Sequence, residues 1–265
     1  MAKKTILITG CSSGIGLAAA MQLRERGWRV FASCKQQVDC DRLRAMGFDS
    51  PRMDYTDTES LHKGLNEVLE ATDGTLDALF NNGAYAIPGA VEDLPTDALR
   101  TMFESNVFGW HELTRSILPI MRAQGHGRIV QCSSVLGFVA LPWRGAYVAS
   151  KFAIEGLTDT LRLEMRDTNI KVSLIEPGPI TTKFRANSVI GFERWIDWEN
   201  SPRAAQYKDT LLKRLYSAST GPDAFELPPE AVVTKLIHAI EAKRPRARYM
   251  VTAPTYLMAA LRRLL

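Results

Sequence analysis

No run of 18 apolar residues occurs anywhere in the 265-residue chain, so no segment has the length a membrane-crossing helix needs. Basic residues are not bunched either. The formal net charge of +4 is small and dispersed, which argues against nucleic acid as a partner. Cysteine is scarce: Cys11, Cys34, Cys40 and Cys132. None pair as C-x-x-C and no ligand cluster accompanies them, so no metal site is expected, and a reduced, cytoplasmic setting is. The apolar run after Met1-Ala2-Lys3-Lys4 is too short for a signal peptide. Repeats, low-complexity tracts and a dividing linker are all missing, which leaves one domain over 1–265. At 46% hydrophobic and 23% charged residues, the composition is that of an ordinary globular protein.

What is present is a strand–helix alternation. Residues 5–9 form a short β-branched apolar run, as in a strand buried on both faces. A glycine turn follows, then a helical stretch at 17–26 that Gly27 stops, and a second strand at 28–32. Further strands are expected at 52–54, 76–81, 128–132, 171–175 and 248–251. Helices are expected at 58–70, at 96–123 with a bend near Gly109 or Pro119, from Tyr147 to about 167, and at 229–242. This order predicts an α/β fold: a doubly wound, Rossmann-like open parallel sheet of about seven strands with helices on both faces. Residues 179–229 differ, being polar, broken by prolines and rich in aromatics. A long insert after a strand reads as a substrate loop or lid.

Gly10, Gly14 and Gly16 stand between the first strand and its helix. Glycines there let the backbone approach a phosphate, whose charge meets the positive end of the helix. The spacing G-x-x-x-G-x-G departs from the generic dinucleotide fingerprint, but its strand–turn–helix context favours a dinucleotide. NAD sites usually carry an acid near the end of the second strand, and Ala32-Ser33-Cys34-Lys35 offers none. Lys35, with Ser12 or Ser33, could face a 2′-phosphate instead, which favours NADP(H). Lys35 could equally be one solvated lysine among many.

Tyr147 and Lys151 lie four apart, on one face of a helix. An ammonium beside a phenol favours the phenolate, so Tyr147 could serve as a general acid or base. Alone, the pair reads as a packed ring beside a solvated charge. The further motifs change that balance. Thr9-Gly10-x-x-x-Gly14-Ile15-Gly16, Asn81-Asn82-Gly83-Ala84, Asn106, Ser133-Ser134, Tyr147-x-x-x-Lys151 and Pro177-Gly178-x-x-Thr181 fall in order. Together they resemble the short-chain dehydrogenase/reductase family over residues 5 to about 182. The nearest likeness is to NADP-dependent carbonyl reductases of the 17β-hydroxysteroid, retinol and long-chain aldehyde type.

The resemblance implies hydride transfer between nicotinamide and a carbonyl or alcohol carbon. It makes Tyr147 the proton donor, with a pKa lowered by Lys151. Ser134 becomes the hydrogen-bond donor to the carbonyl oxygen, although adjacent serines also cap turns. Asn106 would hold a water near Lys151; without the resemblance it is a helix-bend residue. The implied cofactor contacts run through Gly10, Ser12, Ser13, Gly14, Ile15, Gly16, Ser33, Lys35, Asn82, Gly83, Ala84, Tyr147, Lys151, Pro177, Gly178, Ile180 and Thr182. Asp54 matches an adenine-contacting acid, or caps the next turn. Asn-Asn-Gly-Ala replaces the family's usual Asn-Asn-Ala-Gly, moving the place where the backbone is freest.

Phe138 and Trp143, with Phe184 from the insert, could wall an apolar pocket for a retinoid, steroid or long-chain carbonyl or alcohol. They could instead pack the insert onto the domain. The tail 256–265 reads as a core or dimer-contact helix, or as weak contact with a membrane surface. A homodimer or homotetramer is implied by the resemblance alone. Two other functions compete: a non-catalytic NADP(H)-binding sensor or scaffold, and a sugar epimerase or dehydratase, for whose larger C-terminal domain the chain lacks room.

Overall fold

A computed structural model describes residues 3–217 and 224–262. Among them six strands form one wholly parallel sheet: β1 Thr5–Ile8, β2 Arg29–Ala32, β3 Ala78–Asn81, β4 Gly127–Cys132, β5 Ile170–Glu176 and β6 Arg248–Met250, in the order β2-β1-β3-β4-β5-β6. Side chains alternate across it. Ile6 and Ile8 enter one apolar layer and Leu7 the other, as a pleated strand buried on both faces requires. Helices α1 Gly14–Glu25 and α10 Glu230–Glu241 cover the first layer with Ala19, Ala20, Leu23, Val232, Val233 and Leu236. Helices α3 Thr58–Glu70 and α5 Gly109–Ala123 cover the second with Leu61, Leu65, Val68, Leu113, Ile117 and Met121.

The strand expected at 52–54 is not one, which leaves six strands rather than about seven. Only isolated bridges, Phe31 to Asp49 and Cys34 to Arg52, mark that edge. Pro51 has no N–H to give a ladder, and the Ser50 hydroxyl donates to Ala32 O at 2.6 Å in its place. The same region holds a helix the sequence pattern did not reveal, α2 Gln37–Ala45. Only Cys40 and Leu43 of it are buried, too few for a periodic apolar signal.

The long helix expected at 96–123 is broken where a bend was expected. Helix α4 Thr96–Phe103 passes into a π-helical segment, Glu104–Phe108, before α5. Gly109 is the first residue of α5, and a methyl there would lie 2.5 Å from the Tyr55 backbone oxygen, so no larger residue fits. Helix α6 Gly145–Glu164 carries Tyr147 and Lys151.

The insert is more helical than its prolines suggested. It contains α7 Phe184–Trp195, α8 Ala204–Gln206, a second π-helical segment Tyr207–Leu212, and α9 Lys213–Tyr216. Its ends meet at a bridge between Ile180 and Leu227, and residues 218–223 of it lie outside the described residues. Phe192, Tyr207, Leu211 and Leu215 pack in one apolar cluster with Ala146 and Tyr147. The tail forms α11 Ala253–Leu261, whose Tyr256 hydroxyl donates to Met250 O at 3.0 Å. The tail's last residues, 263–265, lie outside the described residues. No described helix is long and apolar enough to cross a membrane.

Candidate active site

The chain leaves β1 toward β2 on one side of the sheet and returns to β3 on the other. Loops that follow the carboxyl ends of β1 and β3 therefore diverge, and the crevice between them is where such sheets take ligands. Here the two loops also touch. A methyl on Gly10 would sit 2.5 Å from the Gly83 Cα, and one on Gly16 would sit 2.3 Å from Gly10 O. Gly10, at φ +70°, also adopts a left-handed backbone that glycine alone takes without strain. Gly83 of the Asn-Asn-Gly-Ala stretch is the residue beside Gly10, and a methyl on Gly83 would lie 3.3 Å from the Gly10 Cα.

Thr9 fixes this contact. Its Oγ1 accepts from Asn82 N at 2.9 Å and from Gly83 N at 3.2 Å. Asn82 Nδ2 donates back to Thr9 O at 3.0 Å, so its amide locks the turn rather than standing free. Helix α1 begins at Gly14, and its N-cap Ser13 makes no side-chain cap. The first N–H groups of that helix thus keep their affinity for an anion. Ser12 is exposed, and its carbonyl accepts from Arg42 Nη2 at 2.7 Å. Ile15 and Ala84 pack against the core. The Ser33 hydroxyl is buried without a partner, an orphan that a bound group would satisfy.

Lys35 and Asp54 come together as an ion pair at 3.1 Å. Burial raises the Asp54 carboxyl, but hydrogen bonds from Thr56 and the Lys35 ammonium outweigh it and leave it below its ordinary pKa. Asp54 Oδ1 also accepts from Thr56 N at 3.0 Å, so it does cap the following turn. On the opposite side, the Pro177–Thr182 stretch leaves β5 and crosses toward the glycine turn. Gly178 packs where a methyl would meet Thr252 Oγ1 at 2.1 Å, and a methyl on Gly14 would meet Thr182 Cγ2 at 3.0 Å. A groove of about 470 Å³, lined by Ser13, Gly14, Thr182 and Lys183 among others, runs along this junction. The closely approached glycines, uncapped helix and orphan hydroxyl fit a nucleotide phosphate at the start of α1.

Ser134, Tyr147 and Lys151 converge at the far end of the crevice. Ser134 follows β4 and opens the 3₁₀ turn Val135–Gly137, with its Oγ accepting from Leu136 N at 3.1 Å. The same hydroxyl faces the Tyr147 phenol and draws its pKa down. Because a hydroxyl has one donor and two acceptor sites, the cap leaves the Ser134 O–H to donate into the site. Lys151 is 1% exposed. Its Nζ donates to Cys132 O at 2.8 Å and lies 4.2 Å from the Trp110 ring centre and 5.5 Å from that of Tyr147. Burial without a carboxylate partner lowers its ammonium to about 8. Tyr147 departs from the expected lowering. Burial dominates and pushes the phenol well above its ordinary value, against the pull of the Ser134 hydroxyl.

Asn106 is fully buried in the first π segment. Its Oδ1 accepts from Tyr85 N at 3.2 Å, and its Nδ2 donates to Tyr85 O at 2.9 Å and Ser150 Oγ at 3.4 Å. Its side chain thus grips the loop after β3 and touches α6 one residue before Lys151.

Of the pocket residues, Phe184 packs edge-on against the Tyr147 ring, centroids 5.3 Å apart. Trp143 sits at φ +65°, a strained conformation for a bulky residue, and its ring packs tilted against that of Tyr207, centroids 4.7 Å apart. Phe138 ends the 3₁₀ turn, half-buried, outside the apolar cluster beside Tyr147. Sequence reasoning missed Trp110, whose Nε1 donates to Gly83 O at 2.8 Å and whose face carries Lys151. Its place four residues after Asn106 was the available signal.

Comparison with known proteins follows the same lines. The family model described as short chain dehydrogenase matches residues 4–190. An uncharacterized oxidoreductase of Escherichia coli K12, YbbO, is 40% identical over 263 residues, covering 99% of this chain and 91% of that one. The NADPH-dependent 3-dehydrocapnine reductase of Ornithobacterium rhinotracheale is 33% identical, covering 95% and 89%. A crystal structure of a short-chain dehydrogenase/reductase from Burkholderia phymatum in complex with NAD superposes with a TM-score of 0.80 at 27% identity, covering 99% and 92%.

Proposed function

The chain belongs to the short-chain dehydrogenase family, and from that premise we propose that it is an NADP(H)-dependent oxidoreductase interconverting apolar aldehydes or ketones and their alcohols. The observation that carries this reading is the convergence of Ser134, Tyr147 and Lys151 at one end of the crevice. A bound nicotinamide supplies or accepts the hydride. This chain's own residues manage the oxygen. Ser134 and Tyr147 hold the carbonyl oxygen by hydrogen bonds as negative charge develops on it. The phenol, kept protonated by burial, gives that oxygen its proton. Lys151, close beneath the ring, offsets the negative charge left on Tyr147 Oη.

NADP(H) is favoured by the basic end of the second strand and its lack of an acid. A relative one third identical is NADPH-dependent by name. Gly10, Ser12, Ser13, Gly14, Ile15 and Gly16 would receive the phosphates at the start of α1, Ser33 and Lys35 the 2′-phosphate, and Pro177 to Thr182 the nicotinamide half. The apolar substrate class is supported by Phe184 against Tyr147 and by Trp143 nearby.

NADPH oxidation is to be followed over aldehydes and ketones of graded chain length, with activity rising as the chain lengthens. Tyr147→Phe lowers turnover by roughly 10²–10⁴-fold while NADPH binding, read by fluorescence titration, stays close to wild type. A wild-type protein inert across the whole panel would falsify the reading. Lys35→Ala removes charge without setting a second acid beside Asp54. Loss of one charged hydrogen bond weakens NADPH binding roughly ten- to a hundredfold and leaves NADH nearly unchanged; equal losses for both cofactors remove Lys35 from the site.

A further inference from the structure

The start of α6 carries a positive charge that the hydride chemistry leaves unused. Arg144 is the N-cap of that helix, three residues before Tyr147. Its backbone is pinned. Gly89 bridges to it and donates its N–H to Trp143 O at 3.0 Å, while Val148 N donates to Arg144 O at 2.8 Å. A methyl on Gly145 would lie 2.5 Å from Val91 Cγ2, so this corner is closely packed. Arg144 is half-buried, and among the described residues no carboxylate pairs with it. Burying a charge without a counter-charge is costly for folding alone.

The insert brings two more arginines to the same corner. Phe184 opens α7 and packs against the Tyr147 ring, and Arg185 follows it. Leu211 and Leu215 share an apolar cluster with Ala146 and Tyr147, and Arg214 precedes Leu215 on α9. Burial first, then the charges of Arg214 and Arg185, hold the Arg144 guanidinium below its ordinary pKa. Acids on the insert and on the 91–93 turn face elsewhere. Glu193 accepts from the Tyr216 hydroxyl at 2.9 Å, Asp93 from the Tyr207 hydroxyl at 2.8 Å, and Glu92 pairs with Arg203. Arg185 and Arg214 have contacts of their own, so Arg144 is the charge left for a ligand to answer.

We propose that Arg144 binds a carboxylate carried by the substrate, with Arg185 and Arg214 adding to the positive field, so that the preferred substrates are apolar oxo-acids and the matching hydroxy-acids rather than neutral carbonyls and alcohols. The inference rests on the oxidoreductase reading above and names the substrate class within it. A guanidinium presents parallel N–H groups that match the two oxygens of a carboxylate. Residues three apart at a helix start are neighbours, with Cβ atoms about 5–6 Å apart. Arg144 and Tyr147 can therefore hold two ends of one molecule, the carboxylate on the first and the carbonyl oxygen on the second. Phe184, against the Tyr147 ring, and Trp143, next to Arg144 in the chain, supply apolar surface for the carbon skeleton. A neutral carbonyl compound leaves the Arg144 charge unanswered, and that difference discriminates between the two classes.

The deciding measurement compares matched pairs, oxo-acids of graded chain length and their methyl esters, each followed by NADPH oxidation. Wild-type protein favours the acid, with kcat/KM roughly ten- to a hundredfold above that of its ester, as one charged hydrogen-bonded pair gives. Arg144→Gln removes the charge, and its loss on the acid exceeds any loss on the ester by about tenfold or more. Arg144→Lys recovers part of the preference. An ester used as well as its acid by the wild type, or equal losses on both in Arg144→Gln, overturns the proposal. If the Gln variant does not fold, the wild-type comparison decides alone. A saturated carboxylic acid with no carbonyl group, and its methyl ester, are also titrated calorimetrically into wild-type protein in excess NADP+. Binding of the acid but not of the ester supports the anion site without any turnover, so a protein inert on every substrate that still shows it loses only the oxidoreductase reading. Equal binding of acid and ester, or binding of neither, overturns the site itself.

Discussion

The two π-helical segments hold the same stretch of chain by different means. Residues 85–90 follow β3 into the site without pairing in the sheet. Asn106, in the first π segment, takes one end, with its amide closing on both the N–H and the C=O of Tyr85. Tyr207, which opens the second, takes the other: its hydroxyl accepts from Ala90 N at 2.8 Å and donates to Asp93 Oδ2 at 2.8 Å. Asn106 works as a purely polar lock. Tyr207 adds an aromatic hub, with Trp143, Phe192 and Trp198 rings around it at 4.7, 6.1 and 6.5 Å. π-helical turns are frequent at functional sites, and here two of them grip a stretch that also bridges to Arg144 through Gly89. The polar lock faces the catalytic helix through Ser150, while the aromatic one fastens the insert.

Breaking the polar lock is expected to cost most. Asn106→Ala removes the partner of both the N–H and the C=O of half-buried Tyr85, worth about 1–3 kcal/mol in denaturant unfolding, and lowers kcat as well. Tyr207→Phe removes one hydroxyl and keeps the rings. It costs about 1–2 kcal/mol and leaves NADPH affinity, by titration, unchanged. A larger loss for Tyr207→Phe than for Asn106→Ala would reverse the assignment of lock and hub.

How far each segment was legible in the sequence follows from the same contrast. Asn106 stood in an ordered series of motifs and was singled out, though its partner Tyr85 was not. Tyr207 appeared only as one aromatic in a polar, proline-broken insert, because its role depends on Ala90 and Asp93, more than a hundred residues away. The parallel sheet was readable from apolar runs, since strands buried on both faces need them. The false third strand was not avoidable by pattern: Ser50 and Pro51 settle it through one hydrogen bond and one missing donor. The expected depression of the Tyr147 pKa failed for a similar reason. Helical spacing gives the neighbour, Lys151, but not the depth of burial, and burial prevails.

All four cysteines are buried, and two of them flank the crevice. Cys11 lies in the glycine turn with its Sγ donating to Ile8 O at 3.2 Å, and Cys132 ends β4, where its carbonyl holds Lys151. Burial raises both thiols, that of Cys132 to about 11, so neither presents a thiolate to solvent at neutral pH. A thiol reagent can then react only through opening of the structure. Its rate at Cys11 and Cys132 becomes a clock for breathing at the cofactor crevice, read without substrate, and slowing of that clock by a nucleotide would time the crevice's closure directly.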